Sequence, residues 1–149
     1  MSKTLTLKNE FLRKSIHVCN SIFAFSLFYI DQHNFAIIIS IFTIFILFFE
    51  LLRNIFPKIN FIFKMFFGCI IRDFESLGKL TGASYVFIST LLLVLFFDKY
   101  TCIFALLVMS YSDTAAALVG KKYGKTKIFD KTLEGSVSFF IVGCIMAIF

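Results

Sequence analysis

The stretch that decides the fold is residues 35–52, FAIIISIFTIFILFFELL, in which no charged residue occurs before Glu50. About 20 apolar residues are enough for a helix to cross a hydrocarbon core of about 30 Å. The composition agrees, because 59% of the 149 residues are hydrophobic and only 16% are charged, whereas about a quarter of a soluble chain is charged. These features exclude a disordered chain and predict a membrane protein.

Four further apolar segments have this character, namely residues 12–30, 80–97, 101–119 and 136–149. One more apolar stretch, 59–71, is too short to span the membrane and contains the charged Lys64. We therefore predict an interfacial or re-entrant helix there. The predicted fold is all-α, a polytopic membrane bundle of about five transmembrane helices plus that interfacial helix. It forms one integral-membrane domain, 1–149. The last segment has 14 residues and reaches only about 21 Å, so we expect an incomplete final helix.

The basic residues are distributed unevenly between the two sides of this bundle. Fourteen of the 15 lie in the N-terminal arm or in the connections 53–79 and 120–135, and only Lys99 lies elsewhere. The positive-inside rule therefore predicts a cytosolic N-terminus and cytosolic long connections, in a bacterial inner membrane or an ER-type membrane. The net charge of +6 then indicates anionic substrates at a membrane surface and not nucleic acid.

The most informative stretch for function is residues 112–136, SDTAAALVGKKYGKTKIFDKTLEGS. Asp113 lies in an otherwise apolar helix, about 10 Å before Gly120. A carboxylate inside a membrane is a functional candidate by default. The alternative is a packing residue hydrogen-bonded to Ser110 or Ser112. The small residues at 112, 116 and 120 form a stripe that permits close helix packing.

The connection after this helix combines glycines with five lysines. Glycines allow close approach of the backbone and lysines neutralise phosphate, although an ordinary cytosolic loop would also be basic. A Walker A loop is excluded because three residues, not four, separate Gly120 from Gly124-Lys125. Farther on, Thr132 and Glu134 begin the last helix, whose N-terminus attracts anions. Glu134 fits a divalent cation held between carboxylate and phosphate, or alternatively a helix cap.

Charged residues also mark the first two helices. Arg13, Lys14 and His17 form a cationic cluster in which we expect Lys14 to snorkel to the interface and His17 to serve in acid–base chemistry. Glu50 and Arg53 lie one turn apart, and Arg72 and Glu75 repeat the spacing. Each pair is either a structural ion pair or a pair of functional groups, and the sequence leaves both alternatives open.

Together these motifs resemble the CTP-dependent polyprenol and lipid kinases, which include dolichol kinase, phytol kinase and the yeast-type diacylglycerol kinase. The motifs are R-K-x-x-H at 13–17, E-x-x-R at 50–53, R-D-x-E-x-x-x-x-x-T-G-A-S-Y at 72–85, D-T-A-A-A at 113–117, G-K-K-Y-G-K at 120–125 and K-T-L-E-G-S at 131–136. The last block is also similar to the signature of CDP-diacylglycerol synthases. Family members usually continue for further helices, so the resemblance implies a C-terminally truncated chain.

The resemblance implies CTP-dependent phosphorylation of a membrane lipid alcohol at the cytosolic face. The alternatives are phosphatidate cytidylyltransferase-like synthesis of a CDP-lipid and an inactive truncated homologue. The implied partners are CTP and the lipid, and the implied cofactor is Mg²⁺ or another divalent cation. Nucleic acid is not an implied partner. Assembly into a homo-oligomer is left open. The implied catalytic residues are Asp113, His17 and Arg13, the phosphate-binding ones are Gly120, Lys121, Gly124, Lys125, Lys131, Thr132 and Gly135, and the metal ligands are Asp113 and Glu134.

Overall fold

The computed structural model describes residues 7–67, 80–129 and 131–148. Within these residues the chain is helical apart from one short β-ribbon. The elements are α1 (Leu7–Cys19), α2 (Ser21–Tyr29), α3 (Gln32–Ile55), α4 (Pro57–Phe67), α5 (Gly82–Phe96), α6 (Lys99–Leu107), a π-helical segment (Val108–Ser112), α7 (Asp113–Tyr123), β1 (Lys127–Ile128), β2 (Lys131–Thr132) and α8 (Leu133–Ile148).

The all-α prediction is confirmed, and two described helices are long and apolar enough to cross a membrane. They are Gln32–Ile55, with 24 residues, and the continuous helix Lys99–Tyr123, with 25. Gly82–Phe96 and Leu133–Ile148 are apolar but shorter. These two helices agree with the predicted membrane protein by length and composition, and the count of five spans stays a prediction.

Two local features differ from the sequence-based expectation. The single helix predicted over 12–30 is two helices, because the chain turns at Asn20, a residue whose short amide side chain favours turns over helix interiors. The connection before α8 contains the antiparallel pair β1–β2, which is too short to produce the alternating pattern of a strand. The predicted interfacial helix begins at Pro57 as α4, and positions 68–71 of it lie outside the described residues.

The described chain divides into two compact units, one built on Ile30–Phe97 and the other on α1, α2 and the elements from α6 to α8. The single integral-membrane domain stays a prediction. In the first unit, α3 packs against α5 and α4. A polar side chain joins the start of α3 to the end of α5: Gln32 Nε2 donates to the carbonyl oxygens of Val94 (2.8 Å) and Phe97 (2.7 Å). These bonds satisfy carbonyl groups that the end of α5 leaves without a helical partner.

The other end of the α3–α5 pair contains a buried ionic cluster. Glu50 Oε1 accepts hydrogen bonds from the Thr81 amide and the Ser84 hydroxyl, both at 2.9 Å, and Glu50 Oε2 lies 2.7 Å from Arg53 Nη2. The Arg53 guanidinium also lies over the ring of Phe63 in α4, 4.6 Å from its centroid. Glu50 therefore caps the start of α5 from a neighbouring helix, which favours the structural reading of the pair. The related pair Arg72 and Glu75 lies outside the described residues.

The second unit is held together by two sets of helix contacts. α7 packs on α8 and α1, and α2 packs on α6. Asp98 caps α6 by accepting the amide of Thr101 at 3.0 Å and its hydroxyl at 2.6 Å, and the Thr101 hydroxyl lowers the pKa of the Asp98 carboxyl. The apolar core lies between α2 and α6 and includes Ala24, Leu27, Cys102, Ile103 and Leu106.

We expect Glu50→Ala to lower the free energy of unfolding by about 3–5 kcal/mol, because it leaves the Arg53 guanidinium buried without its carboxylate. The double variant Glu50→Met/Arg53→Met should recover most of that loss, since an apolar pair removes the charge as well. Thermal unfolding in detergent measures both. Leu51→Ala, at a neighbouring exposed position, is the control and should change stability by about 1 kcal/mol or less. A double variant as unstable as Glu50→Ala would contradict this account.

Candidate functional site

The centre of the second unit is an ion pair between Lys14 of α1 and Asp113 at the start of α7. Lys14 Nζ donates to Asp113 Oδ2 across 99 residues of sequence. The lysine side chain is 5% exposed and the aspartate side chain 44%. Burial of a lysine is expensive unless a carboxylate pairs with it, so the pair fixes α1 against α7. The expectation that Lys14 snorkels to the interface is wrong, because an acidic partner lies within its reach.

The backbone before Asp113 departs from regular helix. Val108–Ser112 is π-helical, and such an insertion changes the direction of the side chains that follow and occurs often at functional sites. Ser110 and Ser112 are buried, and within the described part of the chain their hydroxyls have no hydrogen-bond partner. The alternative in which Asp113 merely bonds one of these serines is therefore wrong, since its partner is Lys14.

The other two residues of the N-terminal cluster lie on the same helix as Lys14. His17 follows Lys14 by one helical turn and is half-buried, as is Arg13. Because α1 packs on both the π-helical segment and α7, the helix that carries His17 lies beside the helix that carries Asp113. That neighbourhood is what an acid–base role of His17 requires, and the role itself stays a prediction.

The small-residue stripe is where α7 meets α8. A Cβ atom on Gly135 would lie 2.8 Å from the carbonyl oxygen of Ala116 and 3.2 Å from the Cα of Gly120. Farther along, a Cβ atom on Gly143 would lie 3.6 Å from Ser112 Oγ. The predicted close packing is confirmed, and the matched pairs show that α7 and α8 run antiparallel.

Three glycines surround the side chain of Thr132. Cβ atoms on Gly120 and Gly124 would lie 2.7 Å from its Oγ1 and 2.5 Å from its Cγ2, and the amide of Gly135 donates to that Oγ1 at 3.3 Å. Glycine at these positions is thus required for the loop to approach the start of α8. Binding of a nucleotide by the same glycines stays a prediction.

Glu134 is directed at the preceding loop. Its Oε1 accepts the amides of Lys125 and Thr126, each at 3.1 Å. The backbone amide of Glu134 itself and then the amides of Lys125 and Thr126 lower the pKa of this carboxyl below its ordinary value, because they stabilise its charged form. Glu134 therefore holds the loop against the start of α8, whereas the bond that caps α8 is made by Thr132, whose Oγ1 accepts the amide of Gly135.

The lysines of the loop are exposed around this framework. Lys121 and Lys122 lie at the end of α7, Lys125 in the turn, and Lys127 and Lys131 on the two strands. In the ribbon, Lys127 pairs with Thr132 and Ile128 with Lys131. The loop thus presents a concentrated positive charge on a backbone whose shape is fixed by Thr132 and Glu134, which suits an anionic ligand.

The two predicted metal ligands lie at different levels of the helix pair. Glu134 is next to Gly135, which packs at Gly120, whereas Asp113 lies seven residues before Gly120, or about 10 Å along the helix. A Mg²⁺ ion binds its ligands at about 2.1 Å, so one ion does not reach both carboxylates in this arrangement. Among the described residues no three His, Cys, Asp or Glu side chains cluster as a metal cage.

Reasoning from the sequence missed Lys14 as the partner of Asp113. A signal was present, because opposite charges inside apolar helices usually pair with each other. The sequence offers several basic residues near helix ends, however, and it does not say which helices are neighbours. The motif residues 72–79 lie outside the described residues, so their relation to this site is not described.

The amino-acid sequence of the chain is similar to those of several known proteins. It is 30% identical over 148 residues to an uncharacterized protein of Rickettsia prowazekii, covering 98% of this chain and 72% of that protein. It is 32% identical over 99 residues to CTP-dependent diacylglycerol kinase 1 of Saccharomyces cerevisiae, covering 64% of this chain and 34% of the kinase. It is 27% identical over 143 residues to the protein of the same name from Eremothecium gossypii, covering 93% and 45%.

The chain therefore spans less than half the length of these two kinases. Although the identities are low, these matches support membership of the family of CTP-dependent lipid kinases. No family model and no solved structure matches the chain.

The Glu134 contacts predict a pH dependence of the loop. Because the pKa of Glu134 is lowered on folding, its stabilisation is complete above the unfolded value near 4.5 and is lost as pH falls through the lower folded value. Amide proton shifts of Lys125 and Thr126, followed by NMR, should titrate with an apparent pKa below 4.5. Glu134→Gln should abolish the titration, and amides in the unaltered chain that do not respond to acid would refute the contact.

Proposed function

We propose that this chain transfers the γ-phosphoryl group of CTP to the hydroxyl of a membrane lipid. The chain belongs to the same family as the Rickettsia prowazekii protein and is a homologue of CTP-dependent diacylglycerol kinases. The lipid alcohol is of the diacylglycerol, polyprenol or phytol type. The N-terminus and the lysine loop lie in the cytosol, where the nucleotide is available.

The observation that carries the proposal is the half-exposed Asp113 carboxylate in a membrane-type helix. It lies in an ion pair with Lys14, whose own side chain is buried. An accessible carboxylate among apolar helices is suited to act on a proton or a cation.

The loop supplies the complementary part of the site. Its lysines neutralise a triphosphate, with Lys121, Lys125 and Lys131 as the proposed clamps. Thr132 and the three glycines around it hold the loop at the start of α8, where the positive end of the helix dipole favours anions. Fixed positive charge around a transferred phosphoryl group is the main contribution that a protein makes to this reaction.

In the proposed reaction the lipid hydroxyl oxygen forms a bond to the γ-phosphorus of CTP. The bond between that phosphorus and the β–γ bridging oxygen breaks, and CDP leaves with the bonding electron pair. The hydroxyl proton passes to Asp113 or, in the alternative supported by the packing of α1 on α7, to His17. Arg13 and Lys14 provide positive charge beside the reacting groups.

A divalent cation fits this site through one protein carboxylate. Mg²⁺ is commonly bound by one or two carboxylates together with substrate phosphates and water, and the exposed part of Asp113 meets that requirement. Such an ion would supply charge stabilisation for the phosphoryl group. Glu134, whose Oε1 accepts two loop amides, supports the phosphate loop in this scheme.

Transfer of label from CTP tests the proposal directly. With the chain reconstituted in vesicles that contain diacylglycerol, γ-labelled CTP should yield labelled lipid phosphate, and α-labelled CTP should not. Transfer of the α label to lipid in vesicles that contain phosphatidate, with no transfer of the γ label to diacylglycerol, would instead assign a cytidylyltransferase, the activity associated with the similar signature of CDP-diacylglycerol synthases. Labelled ATP should be a poor donor, and equal transfer from ATP would contradict the assignment of CTP.

We expect Asp113→Asn to reduce the transfer rate by at least a hundredfold, which is about 2.7 kcal/mol of lost transition-state stabilisation. Because the variant also leaves Lys14 without its anion, stability should fall by about 1–3 kcal/mol. Both are measured on the detergent-solubilised protein at a temperature where it is folded. Asp98→Asn is the matched control, since asparagine also caps helices, and it should retain activity. An Asp113→Asn variant with full activity would make the pair structural.

A further inference from the structure

A groove runs through the second unit beside the long helix Lys99–Tyr123. It lies between α2, α6 and the end of α8 and has a volume of about 720 Å³, which is within the range of sites that hold a small ligand. On the long helix it follows a single stripe of side chains, from Tyr100 through Phe104 and Leu107 to Tyr111. This stripe rises by about 16 Å, so the groove is elongated along the helix.

The walls of the groove are apolar and largely aromatic. Phe25 and Phe28 of α2 and Phe104 of α6 are between 42 and 53% exposed, so the space between them is open to the surroundings. None of the described residues that line the groove is charged. Inside a bilayer such a space takes an apolar occupant, because the hydrocarbon core contains no water to fill it.

One end of the groove is polar and lies close to the proposed site of reaction. The Tyr111 hydroxyl donates to Ser21 Oγ at 3.3 Å, and Tyr111 precedes Asp113 by two residues, or about 3 Å along the helix. From there the groove extends toward Lys99, away from the lysine loop. A lipid whose hydroxyl lies at Asp113 and faces a triphosphate at the loop must extend its hydrocarbon chain in this same direction.

From this arrangement we infer that the groove binds a hydrocarbon chain of the lipid substrate and thereby holds the lipid hydroxyl at Asp113. The inference rests on the proposed function and deepens it by assigning the lipid-binding site. Because the lipid bilayer is as apolar as the groove, the groove contributes van der Waals contact and orientation of the reacting hydroxyl. It accepts an acyl or an isoprenoid chain, provided that the chain is long enough to extend past Tyr111.

The rival occupant is another transmembrane helix, whether of this protein or of a second copy. Helices in membranes approach each other through small side chains. The helix contacts of this unit have this character, because the fully buried Ala24 and Cys102 lie in the core between α2 and α6 and glycines lie between α7 and α8. Among the described residues that line the groove, only Ala147 is small. Space between bulky aromatic side chains suits a flexible chain better than a helix about 10 Å wide, so the observations favour the lipid.

Photolabelling tests the occupant without requiring catalysis. A diacylglycerol with a diazirine near the end of one acyl chain should label α6 in the reconstituted chain, and dioleoylglycerol should compete with it. In Ala147→Trp the new ring fills the groove, and labelling of α6 should fall about tenfold. Ile148→Trp is the matched control at a neighbouring position that is 86% exposed, and it should label like the unaltered chain.

Three results of the photolabelling would overturn the inference. Equal labelling by a phosphatidylcholine with the same diazirine would show contact with bulk lipid only. Full labelling in Ala147→Trp would place the lipid chain outside the groove. No labelling of the unaltered chain would show that protein covers the groove, as the rival helix would.

The length of the lipid chain gives a second test, in which transfer from γ-labelled CTP is measured in detergent micelles. We expect Ala147→Trp to lower the ratio of kcat/KM for dioleoylglycerol to that for dihexanoylglycerol about tenfold, because only the long chain reaches the filled space. Phe104→Trp, on another wall of the groove, should lower the same ratio. An unchanged ratio in both variants would overturn the inference. If the unaltered chain phosphorylated neither lipid but still bound the photolabel in the groove, the proposed function would fail and the lipid-binding site would stand.

Discussion

The ion pair between Lys14 and Asp113 is the interaction on which the second unit depends. It joins residues 99 positions apart, so it holds α1 against the long helix that contains the π-helical segment. A charged pair in an apolar unit is stable only while both partners are present, because either charge alone would be costly. The pair thereby fixes the position of the Asp113 carboxylate, which the proposed phosphoryl transfer would use.

Close backbone packing connects this pair to the lysine loop. The stripe at 112, 116 and 120 lies against Gly135 and Gly143, so α8 begins at the loop and runs back along α7 at short distance. Thr132 fills the space that the glycines leave, and Glu134 binds the loop amides. The ion pair of Asp113 and Lys14 thus lies within the helices, and the lysines proposed to bind phosphate lie at the helix end.

The sequence predicts the helical class, the long apolar helix at Gln32–Ile55 and the close packing of the small-residue stripe, because apolar runs and spacing are local signals. It does not predict that Lys14 is buried, since a single sequence contains no information about which helices are neighbours. The break at Asn20 and the ribbon around Phe129 depend on one or two residues, too few for a periodic pattern. The sequence position of Glu134 fits either a metal ligand or a contact to the loop. Which atoms its carboxylate contacts is seen only in the structure.

The central claim is that the charge of Asp113 serves chemistry in addition to holding two helices together. The double variant Lys14→Met/Asp113→Asn tests it most directly, with unfolding and phosphoryl transfer from γ-labelled CTP measured on the same sample. The account predicts that stability returns toward that of the unaltered chain, because no buried charge is left unpaired, while transfer stays at least a hundredfold lower. A double variant that regains both stability and transfer would contradict it.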